Sequence, residues 1–216
     1  MFTHIFFDLD GTLTDPAKGI TNSFIHALKY FGREIPSYEE LCNLIGPPLP
    51  YSFETILGFP KEKVMEAVAK YREYFATKGL YENSVYPGIP ELLQTLKANG
   101  KHLVVATSKP EEYSIKIIDH FGLSKYFDFV CGSLMDESRS KKSEVISYAL
   151  QRCGLSESDK ERVLMVGDRH HDIEGAQQNG LKSCGVLFGY GSRTELEDAG
   201  ADYIVKDVMD LYKVIE

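Results

Sequence analysis

The chain has 216 residues, 43% of them apolar, and a formal net charge of −8, enough to fill a core but the wrong sign for nucleic acid or an anionic membrane surface as partner. That length exceeds a typical single domain and falls short of two full ones, so a core carrying one insertion is expected. Cys42, Cys131, Cys153 and Cys184 lack the short paired spacing of a zinc site or redox pair and read as buried free thiols; Asp8 and Asp10 interrupt the only apolar N-terminal run, so no signal peptide, no membrane span and a cytoplasmic location are expected.

The first element is a strand near residues 4–7, ending in Asp8-Leu9-Asp10-Gly11-Thr12-Leu13-Thr14. Residues two apart on extended backbone point the same way, so both carboxylates face one pocket. The Gly-Thr pair beyond allows a tight turn that brings backbone N–H groups toward an anion. Two carboxylates plus a substrate phosphate make an adequate magnesium site, and the cation removes the repulsion between a carboxylate nucleophile and a phosphomonoester. Asp8 can serve as ligand and nucleophile, and Asp10 is placed to protonate a leaving alcohol and later to deprotonate water. Taken alone, the same tetrapeptide is equally compatible with a solvated turn.

Between Pro16 and about Ser84 the pattern turns helical, with helices expected at Ile20–Phe31, Tyr38–Leu44, Tyr51–Leu57 and Lys61–Lys78. This segment reads as an all-helical cap, residues 16–84, inserted in a core of residues 1–15 and 85–216, with hinges near Thr14-Asp15-Pro16 and Glu82–Val85. Such a lid can exclude water from a reactive intermediate, the alternative being a helical decoration fixed in place. Beyond it a helix is expected over Ile89–Ala98, ended by Asn99-Gly100.

A strand over 102–106 then ends in Thr107-Ser108, whose hydroxyls, before a helix beginning at Glu111, suit a phosphate-binding cradle, though a helix cap would use the same residues. After a strand near 128–131, Lys141 and Lys142 open a helix and offer a cation for charge growing on a transferring phosphoryl group. The strand near 163–166 delivers Gly167-Asp168, with Asp172 four residues on: a further metal carboxylate and a partner to orient it or the lysine. His170 and His171 are adjacent, so on a helix they are expected to diverge, which argues against shared metal binding. Strands near 184–188 and 203–205 complete an alternation that implies an α/β fold, a Rossmann-like parallel sheet flanked by helices with ligands at the carboxyl ends of its strands.

The four segments, in this order, resemble the haloacid dehalogenase-like phosphohydrolase superfamily, whose motifs are D-x-D-x-T, a Ser/Thr, a Lys and an acidic G-D-x-x-x-D. Tyr86-Pro87-Gly88-Ile89 and Gly189-Tyr190-Gly191 further resemble its phosphoglycolate phosphatase-like branch, which carries a helical, C1-type cap. The resemblance implies Asp8 as nucleophile and Asp10 as general acid/base whose carbonyl also binds metal, Thr107 as phosphate-binding hydroxyl and Lys142 as the site lysine, with Lys141 the alternative. It implies Asp8, Asp10 and Asp168 as ligands to Mg2+, and Asp172 outside them, paired with the lysine. Ser108 joins the substrate-binding group. In the cap, the loop Ile45–Leu49, with Gly46 and Pro47, resembles a specificity loop, and Arg72 stands where related caps meet the substrate's distal anion.

The implied activity is Mg-dependent hydrolysis of a small phosphorylated metabolite through an aspartyl-phosphate, phosphoglycolate being the first substrate named and the chain a monomer or homodimer. A 5'-nucleotidase or pyrophosphatase of the same family is the alternative, as is a beta-phosphoglucomutase-type phosphomutase. The mutase is disfavoured by Gly19-Ile20-Thr21 where such enzymes carry a histidine. Asp10 disfavours a phosphonatase or dehalogenase, which would lack that second acid. A noncatalytic phosphate-sensing module is the remaining alternative.

Overall fold

In the computed structural model, which describes residues 1–136 and 138–216, the chain divides into two compact units, Met1–Asp15 with Val85–Glu216, and Pro16–Ser84. The strands in chain order are β1 (His4–Phe7), β2 (Thr14–Asp15), β3 (Ser84–Val85), β4 (His102–Pro110), β5 (Phe129–Ser133), β6 (Val163–Gly167), β7 (Lys182–Val186) and β8 (Tyr203–Val205). The helices are α1 (Ala17–Tyr30), α2 (Tyr38–Cys42), α3 (Leu49–Tyr51), α4 (Lys61–Tyr74), α5 (Ile89–Ala98), α6 (Glu111–His120), α7 (Lys142–Arg152), α8 (His170–Gln178), α9 (Arg193–Asp198) and α10 (Val208–Ile215).

Six strands of the first unit form one parallel sheet in the order β5-β4-β1-β6-β7-β8, flanked by helices; the fold is α/β and Rossmann-like. Its inner strands are apolar on both faces, as a sheet covered on both sides requires. Phe6, Val104, Ala106, Val163 and Met165 pack with Val145, Ile146 and Ala149 of α7 and Ala176 of α8. The alternate residues Ile5, Phe7, Leu103, Val105, Leu164 and Val166 are fully buried too, and the period of two sends them to the opposite face. β1 lies between β4 and β6, with Phe7 opposite both Val105 and Val166. The strand order reverses there, and the carboxyl ends of these three strands line up at the place where open sheets of this class bind ligands.

The second unit is helical. α1 packs on α4, and Phe24, Phe53, Tyr71 and Phe75 are buried and joined by ring contacts, Phe24–Phe53 at 5.2 Å and Phe24–Tyr71 at 4.9 Å between centroids. A Cβ on Gly19 would lie 2.1 Å from the Gly79 carbonyl oxygen, so only glycine permits that approach. Two helices end in wider turns than the sequence pattern suggests: Ser52–Ile56 and Phe75–Gly79 are π-helical. Strand ends also shift, as at β4 and β7. β4 continues to Pro110 because its far end pairs with Ser133 across a register irregularity. β7 covers 182–186 rather than 184–188, since Lys182 and Ser183 already pair with Leu164 and Met165 of β6, and past Val186 the Leu187 N–H still donates to the Val205 carbonyl.

Candidate active site

Asp8 follows β1 directly and its N–H still donates to the Val166 carbonyl at 2.9 Å, so the ladder fixes the backbone one residue past the strand. The chain then turns: the Gly11 N–H donates to the Thr14 carbonyl at 2.8 Å, and the N–H groups of Thr12, Leu13 and Thr14 converge on the Leu9 carbonyl. These four donors are spent closing the turn and do not face an anion. Gly11 has φ +81°, and a Cβ there would fall 2.2 Å from Asp168 Oδ2. The glycine serves a tight turn that leaves room for a second carboxylate.

Asp168 follows β6 and is fully buried. Its Oδ1 accepts from Thr12 Oγ1 at 3.3 Å and its Oδ2 from the Tyr190 N–H at 2.8 Å. Gly189 and Gly191 flank that donor, and a Cβ on either would lie within 2.4 Å of Gly11, Asp168 or both. Thus the Gly-Tyr-Gly segment is a clamp on Asp168, and Thr12 and Tyr190 join the site although the motif reading gave them no role. The Tyr190 hydroxyl in turn donates to Asp15.

Lys142, the first residue of α7, is buried. Its Nζ lies 2.7 Å from Asp8 Oδ1 and 2.7 Å from Asp172 Oδ1, and it donates to the Ala106 carbonyl at 3.1 Å. Lys141, the alternative, caps the same helix with its side chain exposed. Asp172 also accepts from the Arg169 N–H at 3.1 Å, which closes the first turn of α8. Thr107 is buried on β4 and its Oγ1 accepts from the Lys109 N–H at 3.3 Å; Ser108, next to it, is half-buried. Lys109 itself, with a side chain 7% exposed, is ion-paired to Asp10 Oδ2, a contact sequence reasoning missed. The signal was a lysine two residues after Thr107, but its direction depends on how β4 prolongs itself. Asp10 Oδ1 is buried and has no hydrogen-bond partner.

The electrostatics follow from burial. Asp10 is raised by desolvation, partly offset by Lys109; Asp168 is raised well above the carboxylate range by desolvation and by Asp172 and Asp8; Asp172 is pushed up to about 6 by burial, against the pull of Lys142. Burial works against the Lys142 ammonium, but Asp172 and Asp8 outweigh it and hold its pKa above the usual lysine value. Four carboxylates thus face two ammonium groups. Oxygens of Asp8, Asp168 and Asp172 lie within 4.8 Å of one another. An all-oxygen donor set in which carboxylates outnumber ammonium groups, with Asp10 Oδ1 orphaned beside it, fits a hard divalent cation.

The remaining candidates lie in the second unit. Gly46, exposed with φ +108°, and half-buried Pro47 form the turn before α3, and Arg72 is half-buried in the last turn of α4. The two histidines correct an expectation. Their rings do not diverge: the centroids of His170 and His171 are 3.7 Å apart. His170 opens α8, so no preceding helical turn restricts its side chain, and Glu195 takes its Nδ1 at 2.8 Å and its backbone N–H at 3.0 Å. Burial pushes Glu195 up, yet these bonds and Arg169 bring it down to about 2. All four cysteines are free, and among the described residues no helix is long and apolar enough to cross a membrane.

A family model described as haloacid dehalogenase-like hydrolase matches residues 5–186. A 5'-nucleotidase of Pseudomonas aeruginosa is 43% identical over 215 residues, covering 100% of this chain and 96% of the relative. A phosphoglycolate phosphatase of Aquifex aeolicus is 32% identical over 213 residues, covering 98% and 96%. Among solved structures, a predicted phosphatase from Clostridium acetobutylicum matches with a TM-score of 0.94 at 45% identity, covering 100% of this chain and 98% of that one.

Proposed function

This chain belongs to the haloacid dehalogenase-like hydrolase family and is a phosphatase of that family, and from that premise we propose that it is a magnesium-dependent phosphomonoester hydrolase acting through an aspartyl-phosphate on Asp8. The observation that carries the reading is the position of Asp8, at the end of the central strand, 2.7 Å from a buried lysine and grouped with Asp168 and Asp172. Asp8 Oδ attacks phosphorus, an O–P bond forms, and the bond from phosphorus to the leaving oxygen breaks. Asp10, whose burial favours the protonated carboxyl, gives that oxygen its proton. In the second step Asp10 takes a proton from water, whose oxygen attacks phosphorus; phosphate leaves and Asp8 is restored.

Lys142 fixes Asp8 and balances the charge of the transferring group, and Thr107 and Ser108 donate to its oxygens. Asp8, the Asp10 carbonyl and Asp168 would hold Mg2+, which supplies charge neutralisation between nucleophile and phosphate. Asp172 holds Lys142 in place.

Substrate choice we assign to Gly46, Pro47 and Arg72 of the second unit. The order of substrates to test changes from the one motif resemblance implies: the name of the relative at 43% identity favours a nucleoside 5'-monophosphate ahead of phosphoglycolate. The test is phosphate release from a panel of both, with pyrophosphate and sugar phosphates, in magnesium or EDTA. We expect release that needs the metal and disappears in Asp8→Asn. Hydrolysis surviving in Asp8→Asn would overturn the nucleophile assignment, and conversion of glucose 1-phosphate to glucose 6-phosphate would move the chain to the mutases.

A further inference from the structure

We propose that His170, His171 and Glu174 form a second metal site, separate from the acidic cluster, which takes a borderline-soft divalent ion of the zinc class. One ligand atom from each of the three lies within 4.8 Å of the others. Helical spacing accounts for the convergence. Glu174 is four residues from His170 and three from His171, so both histidines are its neighbours on one face, and the freedom of His170 at the helix start lets the two rings come together.

The orientation of His170 is the second argument. A carboxylate can only accept, so the 2.8 Å contact with Glu195 Oε1 puts a proton on Nδ1, and in the neutral ring Nε2 is then the nitrogen whose lone pair a metal would take. A histidine ligand oriented by a carboxylate on its other nitrogen is the arrangement that fixes tautomer and ring direction in metal sites. Glu195 is held independently, by the backbone N–H of His170 and by Arg169 Nε at 2.8 Å.

Donor type separates this site from its neighbour. Asp8, Asp168 and Asp172 offer oxygen alone, which suits magnesium, whereas two imidazoles and one carboxylate suit zinc, nickel or copper. Three protein ligands leave a fourth position for water. Glu174 is exposed and both histidines are half-buried, so an ion can load from solvent. The positive end of α8 and Arg169 oppose a cation here, while Glu174 and Glu195 offset them.

The test is calorimetric titration of Zn2+ into the full chain kept saturated with magnesium, with the visible absorption of bound Co2+ as a second readout. We expect one equivalent to bind and Co2+ to give a four-coordinate spectrum. Both signals should be lost in His171→Gln and in Glu174→Gln, and Glu195→Gln should weaken affinity about 10- to 100-fold. Metal-free melting curves establish that the variants fold, and Glu174→Gln, at an exposed position, carries the test if a histidine variant does not. No zinc uptake in magnesium-saturated protein would overturn the proposal. So would uptake that both variants keep and Asp168→Asn abolishes, because the ion would then be substituting in the acidic cluster.

Discussion

Asp10 has one carboxylate oxygen on Lys109 and the other buried without a hydrogen bond, and that asymmetry sets what it can do with a proton. Burial favours the neutral acid and Lys109 favours the anion, so the lysine holds the carboxyl below the value burial alone would give. If Asp10 must be protonated when the leaving oxygen departs, activity falls as pH rises through its pKa. Replacing Lys109 by Met removes the stabilisation of the anion, so the proton is kept to higher pH. We expect Lys109→Met to move the alkaline limb of the kcat profile up by about 1–3 pH units, with Lys109→Arg leaving it near the wild-type position. A profile measured on the preferred phosphomonoester decides it: an unmoved limb would show that the group titrating there is not Asp10.

At the scale of elements, Lys142 reaches Asp8 because α7 and α8 pack closely where Gly175 faces the lysine stem. A Cβ at Gly175 would lie 2.9 Å from Lys142 Cγ and 3.2 Å from Ile146 Cδ1. Helix propensity alone would make Gly175→Ala stabilising by about 1 kcal/mol. Close-packed interiors resist an added methyl, and the groups that must yield are near the lysine backbone rather than at a flexible tip. The expected outcome is the opposite sign, a loss of about 1–2 kcal/mol in urea denaturation, with kcat lowered up to about 100-fold because Lys142 is displaced. A more stable, fully active Gly175→Ala would show that α8 can slide away without moving the lysine.

These elements also mark how far the sequence could be read. Strand β1, helix α5 and strand β8 are legible to the residue, since their apolar period and glycine or polar boundaries agree with the packing they meet. The end of β4 is not, because its pairing with Ser133 depends on a partner strand distant in sequence. The motif carboxylates and Lys142, which the structure brings together, could be picked out because they stand in the order of the motifs that the family resemblance supplies. Lys109, Thr12 and the imidazole pair could not: which way a strand-end or helix-start side chain turns is settled by tertiary neighbours such as Asp10, Asp168 and Glu195.

For the whole molecule, with the proposed magnesium ion in the acidic cluster, folding, protons and divalent metal would form one linked equilibrium. Asp172 has a folded pKa of about 6, above the ordinary carboxylate value, and Asp10 and Asp168 are raised as well. The folded chain therefore binds more protons than the unfolded chain between the two values, so the contribution of these groups to stability is full below the unfolded pKa and is lost as pH rises through the folded one. A divalent ion in the proposed site would need the deprotonated carboxylates and would supply the missing positive charge, so its binding would grow over the range in which the metal-free fold weakens. Magnesium at about 100 times its dissociation constant would add about 2.7 kcal/mol, a rise of about 5–10 °C in Tm for a chain of this size. We expect that rise at neutral pH and a much smaller one below about pH 5, where the carboxyls hold their protons. Asp172→Asn, which cannot titrate, should flatten the decline of the metal-free Tm between those pH values. Calorimetric melts in magnesium and in EDTA measure both effects, and a magnesium increment independent of pH would sever the cluster from the metal.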